Sequence, residues 1–119
     1  DVLNYIPARL SALFMVAAAG LTGLSAKNAW KIFKRDRYNH ASPNSAQTEA
    51  AMAGALGVQL AGDAWYFGTL YKKKTIGDAL RPVECEDIRR ANRLMYASAG
   101  LLLIVVMLLY CSFNILTLL

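Results

Sequence analysis

Two stretches without a single charge constrain what this chain can fold into. Arg9 and Lys27 bracket the first, Leu10 to Ala26, and nothing charged follows Arg93 through to Leu119. Every other charge except Asp1 lies between them. At about 1.5 Å per helical residue, the first run spans roughly 26 Å and the second roughly 39 Å, against a hydrocarbon core of about 30 Å. A bilayer offers no water to backbone amides, so both runs must be helical, the first borrowing length from Leu3–Pro7 or Lys27–Trp30 by snorkelling. The expectation is an all-α integral membrane protein. Transmembrane helices over about residues 8–29 and 95–118 flank a loop over residues 30–93, within which a short helix runs over about residues 45–61.

The first run carries Ala17, Ala18, Ala19, Gly20 and Gly23, and the Ala19/Gly23 spacing lets two helices approach closely, so this helix should face protein. The second run is bulky all round and suits lipid. Located this way, an 18% charged composition stops looking like that of a soluble domain. Between Lys27 and Arg93 lie 12 Lys/Arg and 7 Asp/Glu, with the basic residues crowding both membrane exits. The positive-inside rule makes the loop cytoplasmic and puts both termini on the opposite face. Basic residues at such exits read as topology and lipid contact, so nucleic acid is not an expected partner. A first residue that is Asp rather than Met reads as a piece of something longer. Cys85 falls in a reducing loop and Cys111 within the membrane, so no disulfide is expected. With one His, the chain has no zinc constellation.

Three stretches of the loop stand out. In Asp36 to Ser45, Pro43 forces Ser42 out of the α region, and Asn44 followed by Gln47 resembles a capping box; Asn44 could equally present its amide to a ligand. Gln47 to Gly62 is helical in pattern, too short to span and oddly apolar, which predicts a re-entrant or interfacial helix. Glu49, Ala53 and Gly57 recur at i, i+4 and i+8, placing a carboxylate at the head of a strip without bulk. That strip fits either close helix packing or close approach of a large flat ligand. The Gly57/Gly62 spacing is not a Walker A site, because Asp63 and Ala64 stand where Lys and Ser/Thr are needed. In Tyr66 to Asp87, Lys72–Lys74 lead into a Gly77-Asp78 turn. Glu84, Glu86 and Asp87 would begin the next helix and stabilise its positive end. Asp78, alone in a tight turn between cations, has the look of a magnesium ligand beside phosphate-binding Lys and Arg.

Asn4-Tyr-Ile-Pro-Ala-Arg-Leu10, Ser42-Pro-Asn-Ser45, the run Glu49 to Leu60, Tyr66-Phe-Gly68, Thr75-Ile-Gly-Asp78, Arg81-Pro82 and Asp87-Ile-Arg-Arg90 follow one another in a telling order. In order and spacing they resemble the C-terminal part of the adenosylcobinamide-phosphate synthase family of cobalamin biosynthesis, the CobD/CbiB type. The chain departs from the family pattern at Ala79, where Pro is usual, and over Asp63–Trp65.

The resemblance implies a multi-pass protein of the plasma (inner) membrane, an ATP- and Mg²⁺-dependent ligase. It would join a corrin propionate of adenosylcobyric acid to the amine of aminopropanol or its O-phosphate. A carboxylate must be activated before an amine can attack it, with cations stabilising the transferring phosphoryl group and the amine arriving neutral. Carried onto this chain, Asp78 and Glu49 are candidates for magnesium binding or base work. Lys74 and Arg81 are candidates for phosphate, Asn44, Gln59 and Tyr66 for corrin amides, and Gly57 for the flat face of the corrin. Asn4 and Arg9 would lie at the far membrane face. The piece alone should be inactive and need the N-terminal part of the same protein. The rival reading is a non-catalytic regulatory or transport-associated module of the same fold. Transport of ions is disfavoured, since neither apolar run holds a carboxylate, lysine, arginine or histidine.

Overall fold

Thr22 to Ser25 end the first helix inside the first apolar run, and a second helix starts at the last residue of that run. In the computed structural model, which describes residues 1–119, helix α1 covers Tyr5–Leu21 and α2 covers Ala26–Asp36. The Thr22 amide and hydroxyl both donate to the carbonyls of Ala18 and Ala19, closing the last turn of α1. Ser25 then caps α2, its Oγ accepting from the Asn28 amide at 3.1 Å. The expected single helix over residues 8–29 is therefore corrected: a stop and a start signal sit inside the charge-free stretch, and hydropathy alone reads through them.

Helix α3, Ser45–Leu56, completes a three-helix body. Ala12 of α1, Phe33 of α2 and Ala51 of α3 form one buried cluster, while Ala18, Ala19, Ala29 and Ala55 belong to another. Numbering thus rises along α1 and α3 as it falls along α2, an up-down-up arrangement. The start of α3 returns to the level of the start of α1, where Arg9 Nη1 donates to Asn44 Oδ1 at 3.2 Å and Asn44 Nδ2 donates to the Asp1 carbonyl at 2.8 Å. This corrects the expectation that Asn4 and Arg9 lie across a bilayer from the loop, because α2 brings the chain back. The crossing of α2 and α3 is tight: a Cβ on Gly54 would stand 2.6 Å from the Asn28 carbonyl oxygen. The helix expected to reach residue 61 stops at Leu56, capped by left-handed Gly57. The capping box is not formed either, since Asn44 spends its side chain on Arg9 and Asp1 rather than on α3.

The fold is mostly helical but not all-α. Strands β1 (Leu60–Ala61) and β4 (Thr75–Ile76) pair antiparallel, as do β2 (Ala64–Tyr66) and β3 (Thr69–Tyr71), with Trp65 opposite Leu70. The second pair is a hairpin whose two turn residues, Phe67 and Gly68, both have positive φ, the twist that suits a two-residue connection. The first pair fastens the base of this excursion to the body through buried Ile76, which packs with Ile32, Ala46, Ala50 and Ala53.

Helix α4, Asp87–Leu118, is the one helix long and apolar enough to cross a membrane. Its 32 residues extend about 48 Å, which makes the molecule 65 Å long but only 22 Å thin. Leu94 buries against Ala18, Ala19, Ala29 and Ala55, whereas Leu103 to Leu119 are almost wholly exposed apolar surface. At 17 residues, α1 is a shorter apolar helix and is partly spent on packing, as its alanines predict. The structure therefore supplies one candidate span, not the two expected.

Candidate functional site: a carboxylate clamp beside a basic groove

The C-terminus of α2 and the turn after β4 are locked together by Asp36. This carboxylate is 4% exposed, takes Arg35 Nε and Nη2 at 2.8 and 2.7 Å, and accepts the Gly77 amide at 2.7 Å. Arg35 reaches onward to both oxygens of Asp78, at 3.0 and 2.9 Å. One guanidinium thus bridges a buried and a half-exposed carboxylate. The Arg35 hydrogen bonds hold the Asp36 carboxyl below the usual carboxylate value; burial opposes the shift and the Gly77 amide reinforces it. Gly77 is required at this point. Its φ is +85°, and a Cβ would stand 2.4 Å from the Val58 carbonyl oxygen and 2.8 Å from the Ala53 methyl.

The same clamp fixes the loop between α2 and α3. Asn39 Nδ2 donates to Asp36 and to the Thr75 carbonyl, and Gln47 Nε2 donates to the carbonyls of Arg37 and Pro43, both at 3.1 Å. Beside this anchored loop runs a groove of about 390 Å³ lined by Tyr38–Ala41, Ala61 and Lys72–Lys74. It contains lysines, an imidazole and a carboxamide, and no carboxylate.

The candidates from sequence do not converge on one pocket. Asp78 sits in the clamp and Lys74 in the basic groove. Arg81 shares a cleft with Gly57, but its guanidinium engages both oxygens of Asp87, which also accepts from Arg90 and the Glu84 amide at the start of α4. Asn44 ties α1 to α3. The Tyr66 hydroxyl accepts from Lys73 Nζ at 3.0 Å on the exposed hairpin, and Gln59 is exposed between α3 and β1. Glu49 is half-buried and forms no ion pair. It lies one turn before Ala53, whose methyl faces the Gly77 backbone, so the middle of the smooth strip is covered by the chain itself.

Sequence reasoning gave no site role to Arg35, Asp36 or His40, and named Gln47 only as part of a capping box. Asp36 carried a usable signal, an acid at the C-terminal end of a helix where the macrodipole disfavours it and only a specific partner retains it. Gln47 is 0% exposed and its Oε1 has no hydrogen-bond partner, which nothing in the sequence foretells.

No cluster of three or more His, Cys, Asp or Glu side chains converges to hold a metal ion. A magnesium ion carried in on phosphate needs only one or two protein carboxylates; in this turn Asp78 is half-exposed and has both oxygens paired with Arg35.

Comparison with known sequences places this geometry in context. Residues 1–95 match the family described as CobD/Cbib protein. The chain is 47% identical over 115 residues to the cobalamin biosynthesis protein CobD of Clostridium perfringens, an alignment covering 97% of this chain and 36% of that protein. It is 49% identical over 114 residues to the cobalamin biosynthesis protein CbiB of Salmonella typhimurium (96% and 36% covered). To the CobD protein of Geobacter metallireducens it is 53% identical over 104 residues (87% and 33% covered). The chain spans about a third of the length of these relatives. No solved structure matches.

Proposed function

Because this chain belongs to the CobD/Cbib protein family, we propose that it acts in cobalamin biosynthesis as the C-terminal part of a membrane-anchored synthase. The whole protein forms an amide between a corrin propionate of adenosylcobyric acid and the amine of aminopropanol or its O-phosphate. The observation that carries this reading is the Asp78 carboxylate. It is held at the surface of the body by Arg35, inside the Thr75–Asp78 motif through which the chain resembles the synthases.

ATP with Mg²⁺ supplies, when bound, the phosphoryl group that activates the propionate. The work of this chain is to position and to neutralise. Arg35 orients both Asp78 oxygens, so a cation at their free edge meets a preset carboxylate. Lys74 offers a charge with no competing ion pair, whereas Arg81 is already engaged by Asp87 and offers its remaining edge. Glu49, without a cationic partner, is free to take the proton that the attacking ammonium must lose. Tyr66, Gln59 and Asn44 are the polar contacts proposed for corrin amides, and Gly57 the point of close approach. Helix α4 anchors this assembly in the plasma membrane, and the N-terminal part of the protein completes it.

The test is synthesis by the full-length protein carrying Asp78→Asn. Losing one half-exposed ion pair costs about 1 kcal/mol or less, so expression and membrane insertion should be retained while product formation from adenosylcobyric acid, ATP and amine is abolished. Wild-type turnover in that variant would reduce Asp78 to a structural partner of Arg35.

A further inference from the structure

We propose that the groove between the α2–α3 loop and Lys72–Lys74 is a phosphate-binding site, taking the phosphate group of a small phosphorylated substrate. Lys72 and Lys74 supply the charge and His40 an N–H donor. The inference deepens the synthase reading and rests on it for which phosphate ester is bound. The groove itself is argued from geometry.

Three consecutive lysines gather at one wall, and Lys72 and Lys74 take part in none of the ion pairs of the chain. The one carboxylate between Gly62 and Ile76, Asp63, accepts the Lys73 amide at 2.9 Å, and the Lys73 ammonium is spent on Tyr66. Three cations therefore border a groove that contains no acid, Lys72 and Lys74 without a side-chain partner, an arrangement whose self-repulsion an anion relieves.

The opposite wall adds donors rather than acceptors. His40 Nδ1 accepts the Ser42 amide at 2.9 Å, so the neutral ring carries its proton on Nε2 and remains a donor. Asn39, fixed to Asp36 and the Thr75 carbonyl, holds this wall still. Preorganisation of that kind reduces the ordering cost of binding. At about 390 Å³, the groove falls within the size range of small-molecule sites. It therefore has room for the organic part of a phosphate ester, and two sources share this chemistry: the polyphosphate of ATP and the monophosphate of the amine.

The test uses the full-length protein in detergent, with inorganic tripolyphosphate, ATP and aminopropanol O-phosphate as separate probes in equilibrium dialysis. Lys72→Gln/Lys74→Gln should weaken at least one of the probes tenfold or more, Lys72→Arg/Lys74→Arg should restore it, and His40→Gln should weaken it about threefold. The charge-matched Lys27→Gln/Lys31→Gln control, on exposed positions of α2, should change nothing. A selective loss for ATP or for aminopropanol O-phosphate identifies the source. Unchanged affinity for all three probes overturns the proposal, as does an equal loss in the control. Phosphatidylglycerol vesicles, tested beside these probes by co-sedimentation, supply the last outcome: a loss confined to them also overturns the proposal, because it would make the lysines a lipid contact. If binding weakens as expected but the wild type makes no amide, the synthase reading fails and the groove stands. If synthesis proceeds and the variants bind normally, the reverse holds.

Discussion

The clamp at Asp36 and the hairpin at Phe67 use charge and exposure in opposite ways. In the clamp, every charged group is paired with another: Arg35 serves two carboxylates, and Asp36 accepts a guanidinium and a backbone amide while nearly excluded from water. On the hairpin, Trp65, Phe67 and Tyr71 stand in solvent, Phe67 completely, and the adjoining Lys72 and Lys74 have no partner. A satisfied network rigidifies, whereas an unsatisfied surface is available to something else. The contrast teaches that stability should reside in the first region, the half-exposed edge of Asp78 apart, and recognition in the second.

The severest challenge to that division is Gly77→Ala. The new methyl would meet the Val58 carbonyl oxygen at 2.4 Å with φ at +85°, and moving it away pulls the amide off Asp36. Backbone strain and overpacking of about 1–3 kcal/mol each add to a loss of about 2–6 kcal/mol. Chemical denaturation of the full-length protein should show it, and a variant within 1 kcal/mol of wild type would mean that the clamp is not where stability resides.

Asp36→Asn should cost somewhat less, about 1.5–3 kcal/mol, the contribution of hydrogen bonds to a charged group. Its pH dependence sharpens the assignment. The folded-state value of Asp36 lies below the ordinary 3.8, so the native state holds the proton less readily than the unfolded chain. The stabilisation is then complete above about pH 4 and is lost as pH falls through the folded value. A wild-type advantage over the Asn variant that shrinks below pH 4 confirms the sign; a constant advantage assigns the loss to geometry instead of charge.

What the sequence disclosed depended on how local each signal was. The long apolar helix α4, the alanine packing of α1 and the start of α3 after Pro43 were legible because length, residue size and proline act over a few neighbours. The break at Thr22–Ser25 was equally local, but the charge-free pattern around it outweighed a Gly and a Ser. The hairpin hid because Phe67-Gly68 replaces the usual Asn-Gly at a turn with two positive φ angles. The clamp was illegible for another reason. Asp36 meets Gly77 across 41 residues and Arg35 meets Asp78 across 43, partnerships that only the packing of α2 on α3 creates.

Gly57→Leu probes the boundary between the two regions. The residue caps α3 at φ +72°, and a Cβ there would stand 3.6 Å from the Leu80 side chain, in ordinary contact. The left-handed conformation costs about 1–2 kcal/mol for a residue bearing a Cβ, which is the expected loss of stability. If the cleft shared with Arg81 receives the corrin, corrinoid affinity should fall much further than this penalty predicts while ATP affinity holds. Parallel loss of both affinities with a lower melting temperature would make the position purely structural.

The smallest effect on stability should come from Tyr66→Phe. The hydroxyl sits on an exposed strand and accepts one hydrogen bond from an exposed lysine, so its removal should change unfolding free energy by about 0.5 kcal/mol or less. If the hairpin is a recognition surface, the cost appears elsewhere. One lost hydrogen bond to a corrin amide, about 0.5–1.5 kcal/mol, weakens corrinoid binding roughly twofold to tenfold with the melting curve unmoved. Measuring both on the same preparation decides between the two roles. A melting curve displaced by more than 1 kcal/mol beside an unchanged corrinoid affinity would mean that the aromatic hairpin belongs to the stabilising region after all, and the division between clamp and hairpin would have to be redrawn.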